Sequence, residues 1–405
     1  MSARLNKKSL LVIALCARPF VVAAVRAGYG VTAIDAFADQ QTVALADNTI
    51  LVDYDAYGFN ADALLQAVSQ LEASQYLGFI YGSGFEAQPS LLKKIATIIP
   101  LIGNTATTVQ AVKTAASFFA ALDLCAIPHP ASCLQGPLKP SADYLDKFAG
   151  GCGGTHISLV VDQSATLGNN HYYQQKMNGR SISLLFVAYS HGIEVVGFNE
   201  QWLNPTVGMP FRYGGALSRI EVSSIIQQQM IDAAEALTRT FSLRGCNSLD
   251  ALIQDDIAYV LEINPRLSAT FDLYRAEEYQ AVELHLMEVH IQASLGGVSW
   301  QQVQMKKSKS VVQQSKAHAV IYALEDMLIP TTFSWPDWVL DSPCLDEQAQ
   351  AFKLLADAPI CSVQAQADDA DVAKCLLDSR VEAIKQLLGM TFKSRASKEG
   401  VYAIR

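Results

Sequence analysis

An uninterrupted apolar run from Ser9 to Ala17 (SLLVIALCA) reads as a strand buried on both faces, because it is short and lacks polar alternation. Arg18 to Gly28 follows as a helix closed by glycine. Val31 to Asp35 and Thr49 to Asp53 predict two more strands, and Asn60 to Glu72 a helix. Tyr76 to Tyr81 predicts a strand running into Gly82-Ser83-Gly84, and Pro89 to Ile99 another helix. Strands alternating with helices at this spacing predict a parallel sheet with helices on both faces. Gly28 and Gly30 form only a GxG at a helix end, which suits a turn better than a dinucleotide loop.

The pattern changes after residue 104. Thr105 to Leu122 predicts one helix, ending before Ile127-Pro128-His129-Pro130. Tyr144 to Phe148 predicts a strand that enters Gly150-Gly151-Cys152-Gly153-Gly154. His156 to Val161, Tyr172 to Lys176 and Ser181 to Tyr189 are β-like with hairpin spacing. Val222 to Thr240 is a long amphipathic helix, Tyr259 to Ile263 a strand, and Phe271 to Leu295 largely helical. The middle of the chain is therefore α+β and mostly antiparallel. Lys306 to Lys316 (KKSKSVVQQSK) reads as a linker. Beyond it, His318 to Ala323 and Ile360 to Gln364 predict strands and Asp369 to Leu388 a helix, together a small α/β module.

At 405 residues the chain has room for two or three domains of about 150 residues each. Only 17% of residues are charged, against about 25% in an ordinary soluble domain, so much of the chain is interior or subunit contact and a homo-oligomer stays open. A net charge of −9 excludes nucleic acid as the default partner, and no apolar stretch approaches the roughly 20 residues of a membrane span. Lys7-Lys8 followed by Leu10 to Ala17 has the order of a signal peptide. Arg18 and Arg26 follow without a cleavage site, so a first strand is the better reading. Eight scattered cysteines with no CxxC fit reduced thiols in a cytoplasm. Seven histidines include no HExxH, and His285 and His290 lie five apart, off a shared helical face, which argues against a zinc site.

Two features carry chemistry. Lys147 on a strand ahead of Gly150, Gly151, Gly153 and Gly154 can reach phosphate oxygens while backbone N–H groups close over them. Glu262 and Asn264 alternate on one strand and so share a face, and Asp250, twelve residues earlier, fits the neighbouring antiparallel strand. Three oxygen donors on one face suit magnesium, and Arg266 can neutralise a transferring phosphoryl group. Ser83, Gly84 and Glu86 follow a strand end in the first domain, where open α/β sheets tend to bind ligands, and with Arg18 they form a candidate substrate patch. His129 reads as a loop residue; His156 follows the glycine loop and could touch a phosphate, but reads better as structural; Cys152 lacks a histidine partner in sequence and is not expected to be a nucleophile.

The order of lysine, glycine loop, hinge and acidic strand pair resembles the ATP-grasp superfamily. Gly103-Asn104, Lys113 and Ile127-Pro128-His129-Pro130 look like its entry to the nucleotide domain. Lys113 and Lys147 match its two ATP-binding lysines. Tyr173-Gln174-Gln175-Lys176-Met177-Asn178-Gly179 resembles the adenine-reading hinge, with Ser181 where many members place a ribose-binding acid and Gln175 in place of the usual Glu. Asp250, Glu262 and Asn264 match the magnesium ligands. The resemblance implies a Rossmann-like pre-ATP-grasp domain over residues 1–104, a lid over 105–178, a large subdomain with the metal site over 179–305, and a C-terminal α/β module over 317–405. ATP and magnesium follow as cofactors, two ions with manganese as a substitute.

Biotin carboxylases continue from the metal strand into Arg-x-Gln-Val-Glu-His, whose Glu serves as base. Here the run is Arg266-Leu-Ser-Ala-Thr270, so that base is missing. The C-terminal segments Ala317 to Ala323 and Pro359 to Val363 resemble biotin-carboxylase-related ATP-dependent carboligases associated with methanopterin- and methanofuran-type C1 metabolism. This resemblance implies a ligase that joins a small carboxylate to an amine through an acyl phosphate, for example glutamate to a tyrosine- or tyramine-bearing cofactor precursor. Carboxylation through carboxyphosphate and a non-catalytic nucleotide-binding protein are the rival readings.

Overall fold

The structure is a computed structural model, and it describes residues 8–134, 144–160, 167–274, 286–297, 314–344 and 351–390. Its first unit is a four-stranded parallel sheet in the order Asn48–Leu51, Val31–Asp35, Ser9–Ala14, Tyr76–Tyr81. Leu10, Val12 and Ala14 enter one core while Leu11 and Ile13 enter another, which is why the first strand shows no alternation. Helices Arg18–Arg26, Ala61–Ser69 and Pro89–Ala96 fall where the sequence predicts them. A short helix, Gln40–Leu45, escapes the sequence pattern. Asp39 caps it by accepting from the Gln41 and Thr42 N–H groups.

The single helix expected from Thr105 to Leu122 is two, Ala106–Lys113 and Ala115–Leu124. Thr114 between them is extended (φ −82°, ψ 111°), and its hydroxyl donates to the Gln110 carbonyl at 2.7 Å. The break leaves Lys113 at a helix end, where its side chain can turn toward the central sheet.

Two antiparallel sheets follow. The smaller has the order Ser132–Cys133, His171–Gln175, Tyr144–Phe148, Ile157–Leu159. The larger has eight strands: Ile257–Asn264, Gly245–Gln254, Arg180–Tyr189, Gly192–Leu203, Tyr213–Ser218, Ser315–Tyr322, Pro359–Ala367 and Val339–Leu340. Helix Ser224–Phe241 buries Ile226, Met230, Ala233, Ala234 and Leu237 against one face of it. The other face, through Leu185, Val187 and Cys246, packs on the first unit.

The segment Phe271 to Leu295 is helical only in parts, a 3-10 turn at Ala269–Tyr274 and an α-helix at Leu286–Ser294; residues 275–285 lie outside the described residues. Most of the expected linker also lies outside them, and its end is instead strand, since pairing begins at Ser315. Met327–Pro330 and Ala351–Leu354 pair as a small two-stranded sheet, but the strands Ser315–Tyr322 and Pro359–Ala367 do not stand apart. Ala216 pairs with His318, and Ala319 with Val363, so they extend the central sheet. Among the described residues no helix is long and apolar enough to cross a membrane.

His290 joins the first unit to the central sheet and is 2% exposed. Its Nδ1 accepts from the Cys246 N–H at 3.0 Å, and Nε2 faces the Ile102 carbonyl at 3.4 Å. Burial pushes its pKa down to about 4. Because the folded value lies below the unfolded value near 6.5, this histidine's contribution is intact above pH 6.5 and is lost as pH falls through 4. Between pH 7.5 and pH 5 the loss is about 2 kcal/mol by linkage. Urea unfolding at the two pH values should show that loss in the wild type and a smaller one in His290→Asn, whose side-chain oxygen can still accept from Cys246. Equal losses would show that His290 does not couple folding to pH.

Candidate active site

The two strands Gly245–Gln254 and Ile257–Asn264 set Asp250 directly opposite Glu262. Asn264 lies two residues further along the same face, and its amide nitrogen donates to Asp250 Oδ2 at 3.1 Å and Glu262 Oε1 at 3.4 Å. Partial burial and the Glu262 charge push the Asp250 carboxyl up. Burial would also raise Glu262, but Lys113 above all, together with His156 and Lys147, holds it down. Two carboxylates held this close call for a cation between them.

Three cations surround the acids. Lys113 Nζ donates to Glu262 Oε2 at 2.9 Å and to Asn264 Oδ1 at 3.3 Å. Lys147 is 7% exposed, donates to Gln174 Oε1 at 2.8 Å, and is pushed down to about 8 by burial. Arg266 Nη2 donates to Asn264 Oδ1 at 3.3 Å, and its Nε pairs with Glu86. Glu86 is also fixed from behind, accepting from the Gly84 and Phe85 N–H groups at 2.8 and 3.0 Å. Burial would raise its pKa, yet Arg266 and Lys113 hold it below the usual carboxylate range.

The glycine loop bridges the units. Gly154 lies at φ +72° and packs so tightly on the Phe211 carbonyl that a Cβ would overlap it. The Gly153 carbonyl accepts from the Tyr213 N–H at 2.9 Å, and Gly150 lies against the Glu86–Ala87 backbone. Between the loop and the acidic strand is a pocket lined by Lys113, Phe118, Gly151, His156, Tyr172 and Glu262, among others. The Cys152 thiol beside it is pushed up to about 12 by burial and the Glu86 charge, which leaves no thiolate at neutral pH.

The structure thus brings together Lys113, Lys147, Asp250, Glu262, Asn264, Arg266 and Gly150 to Gly154. Gln175, Lys176, Met177 and Ser181 lie where the smaller sheet passes into the larger one, with the Gln175 side chain exposed and its N–H donating to Ala131. The expected substrate patch divides. Ser83, Gly84 and Glu86 stay at the strand end beside Arg266, whereas Arg18 turns away to pair with Asp272 at 2.9 Å and with Asp341. Strand alternation gave no sign of this, because those aspartates lie 254 and 323 residues along the chain. Sequence reasoning also missed Gln174 as the partner of Lys147. The signal was available, since the alternation that exposes Gln175 buries Gln174.

Among the described residues no three His, Cys, Asp or Glu side chains converge as metal ligands. Two carboxylates and an amide oxygen, completed by phosphate oxygens and water, are nevertheless a set that suits magnesium. The Asn264 amide now presents its nitrogen to both acids, so holding an ion requires it to turn over.

A lysine-bearing lid sheet, a glycine loop and an antiparallel acidic strand pair, behind a parallel α/β unit, define the ATP-grasp fold, and this chain has it. Residues 116–270 match the ATP-grasp domain family model. L-amino acid ligase from Bacillus licheniformis superposes with a TM-score of 0.65 at 13% identity, covering 92% of this chain and 97% of that one. Phosphoribosylglycinamide synthetase from Anaerococcus prevotii gives 0.62 at 13%, covering 93% and 98%. Biotin carboxylase from Campylobacter jejuni, in its β,γ-ATP complex, gives 0.62 at 14%, covering 91% and 90%. No curated protein matches the chain by sequence.

Proposed function

We propose that the protein is an ATP-dependent carboxylate–amine ligase. The observation that carries this reading is the Asp250–Glu262 pair, ringed by Lys113, Lys147 and Arg266 beneath the glycine loop. Asp250, Glu262 and the turned-over Asn264 would hold magnesium, which would supply charge stabilisation to the phosphoryl transfer. Lys113 leaves Glu262 for the phosphate chain, and Lys147 regains a full charge beside phosphate. A substrate carboxylate attacks the γ-phosphorus while Arg266, aimed by Glu86, balances the charge on the transferring group. An amine then displaces phosphate from the acyl phosphate to give an amide. The glycine loop, already resting on both units, excludes water that would hydrolyse the intermediate.

The three structural neighbours include an amino acid ligase and a glycinamide synthetase, whose names describe amide-forming chemistry. An amino acid such as glutamate joined to a tyrosine- or tyramine-bearing acceptor is the substrate pair we favour. Thr270, where biotin carboxylases place a base, is 2% exposed and hydrogen-bonded to Ser268 at 2.9 Å, so it offers no base for bicarbonate. Losing a positioned base costs about 10²–10⁴ in rate. With ATP, magnesium and the right amino acid, hydroxylamine should therefore be trapped as a hydroxamate, and bicarbonate alone should leave ADP release unchanged. ADP release driven by bicarbonate without any amine, with no hydroxamate from any amino acid, would make the protein a carboxylase instead.

A further inference from the structure

His156 lines the pocket, and the proposed chemistry does not yet use its position. It directly precedes strand Ile157–Leu159, beside the residue that pairs with Lys147. Its carbonyl is held by the Phe148 N–H at 3.3 Å. The ring lines the pocket together with Lys113, Gly151 and Glu262. The charges that act on it are those of Glu262, Lys147 and Lys113, the groups assigned above to metal and phosphate.

Two details turn this histidine from filler into a candidate ligand. Its Nδ1 is buried without a hydrogen bond of good geometry, the Cys152 backbone lying alongside the ring. An unmatched buried polar atom costs about 1–3 kcal/mol, so such atoms persist where something else completes them. The second detail is Gly151. Its backbone is not in the left-handed region, so its conformation does not call for glycine. A Cβ there would overlap the Cβ and imidazole of His156, so it is the His156 side chain that requires a glycine.

We propose that His156 is a phosphate-binding residue of the nucleotide site, its Nδ1–H donating to an oxygen of the ATP phosphate chain beside the ion held by Glu262. The assignment rests on the ATP-dependent reading above. It makes a side chain two residues beyond the glycine run, and not only the loop's backbone, part of the cradle. The side chain packs against Gly151, so when the loop is seated the imidazole is already held in the pocket wall.

Calorimetric titration of the full chain with the magnesium salts of AMP, ADP and β,γ-imido-ATP tests this. His156→Phe keeps the ring shape but removes the donor. A hydrogen bond to a charged group is strong enough that ADP and the triphosphate analogue should bind about ten- to a hundredfold more weakly, with AMP within about twofold of wild type. His156→Asn places an amide N–H near the Nδ1 position and should recover most of the loss, whereas His156→Gln, which mimics Nε2, should not. Gly151→Ala should reproduce the Phe defect with the imidazole still present. Unchanged ADP binding in His156→Phe, or an equal loss for AMP, would reduce His156 to a packing residue. A wild-type protein that bound none of the three nucleotides would overturn the ATP-dependent reading, and this assignment with it.

Discussion

Glu262→Gln should cut ATP turnover sharply, with kcat falling about 10²–10³-fold, while the thermal transition stays within a few degrees of wild type. The catalytic loss follows from position. Glu262 is the carboxylate shared by Lys113 and the proposed ion, and removing one preorganised charge from such a site costs about 10²–10³ in kcat. The mild effect on stability follows from the pair itself. Asp250 suffers from the Glu262 charge, so its neutralisation relieves a repulsion as it removes the Lys113 ion pair. Steady-state ADP release and calorimetry on the same preparation would decide. Near-normal turnover in a folded variant would take Glu262 out of the site.

Arg266→Met should damage stability and catalysis together, and the two can be separated. Arg266 and Glu86 side chains are 10% and 4% exposed. Removing one partner of a buried ion pair typically costs about 3–5 kcal/mol, because the other charge is left without compensation. The Gly84 and Phe85 N–H groups soften that cost but do not cancel it. Adding Glu86→Gln removes the stranded charge, so the double variant should regain much of the lost stability. It should regain no turnover, since the guanidinium that faces Asn264 and the phosphoryl group is still missing. Recovery of both in the double variant would mean that Arg266 acts only as a structural partner for Glu86.

Much of the fold was legible wherever structure is local. The Ser9 strand, its helix and the Tyr76–Tyr81 strand followed from apolar runs bounded by glycine and proline. The spacing of Asp250 and Glu262 implied a tight antiparallel pair, and the register sets the two residues face to face. What escaped was long-range or cooperative. The break at Thr114 is invisible to periodicity, because Ala115 to Leu124 continues as helix at once. The strands Gly192–Leu203 and Tyr213–Ser218 are hard to separate from loop by pattern alone. They are fixed by neighbours on both sides, including a partner about a hundred residues later in the chain. Gly151 was read as one of a run of phosphate-loop glycines, and only the placement of His156 shows that its missing side chain serves a neighbour.

The joining of Ser315–Tyr322 and Pro359–Ala367 to the central sheet also governs how the chain can assemble. Until those segments leave the ribosome, Tyr213–Ser218 is an open edge with unpaired N–H and C=O groups, ready to template another strand. Closing that edge brings together residues about a hundred positions apart, a contact of high order that forms slowly. The pairing of Arg18 with Asp341 spans 323 residues and can form only after nearly all the described chain has been made. Strand pairing between chains is therefore favoured late in synthesis, before that edge is closed.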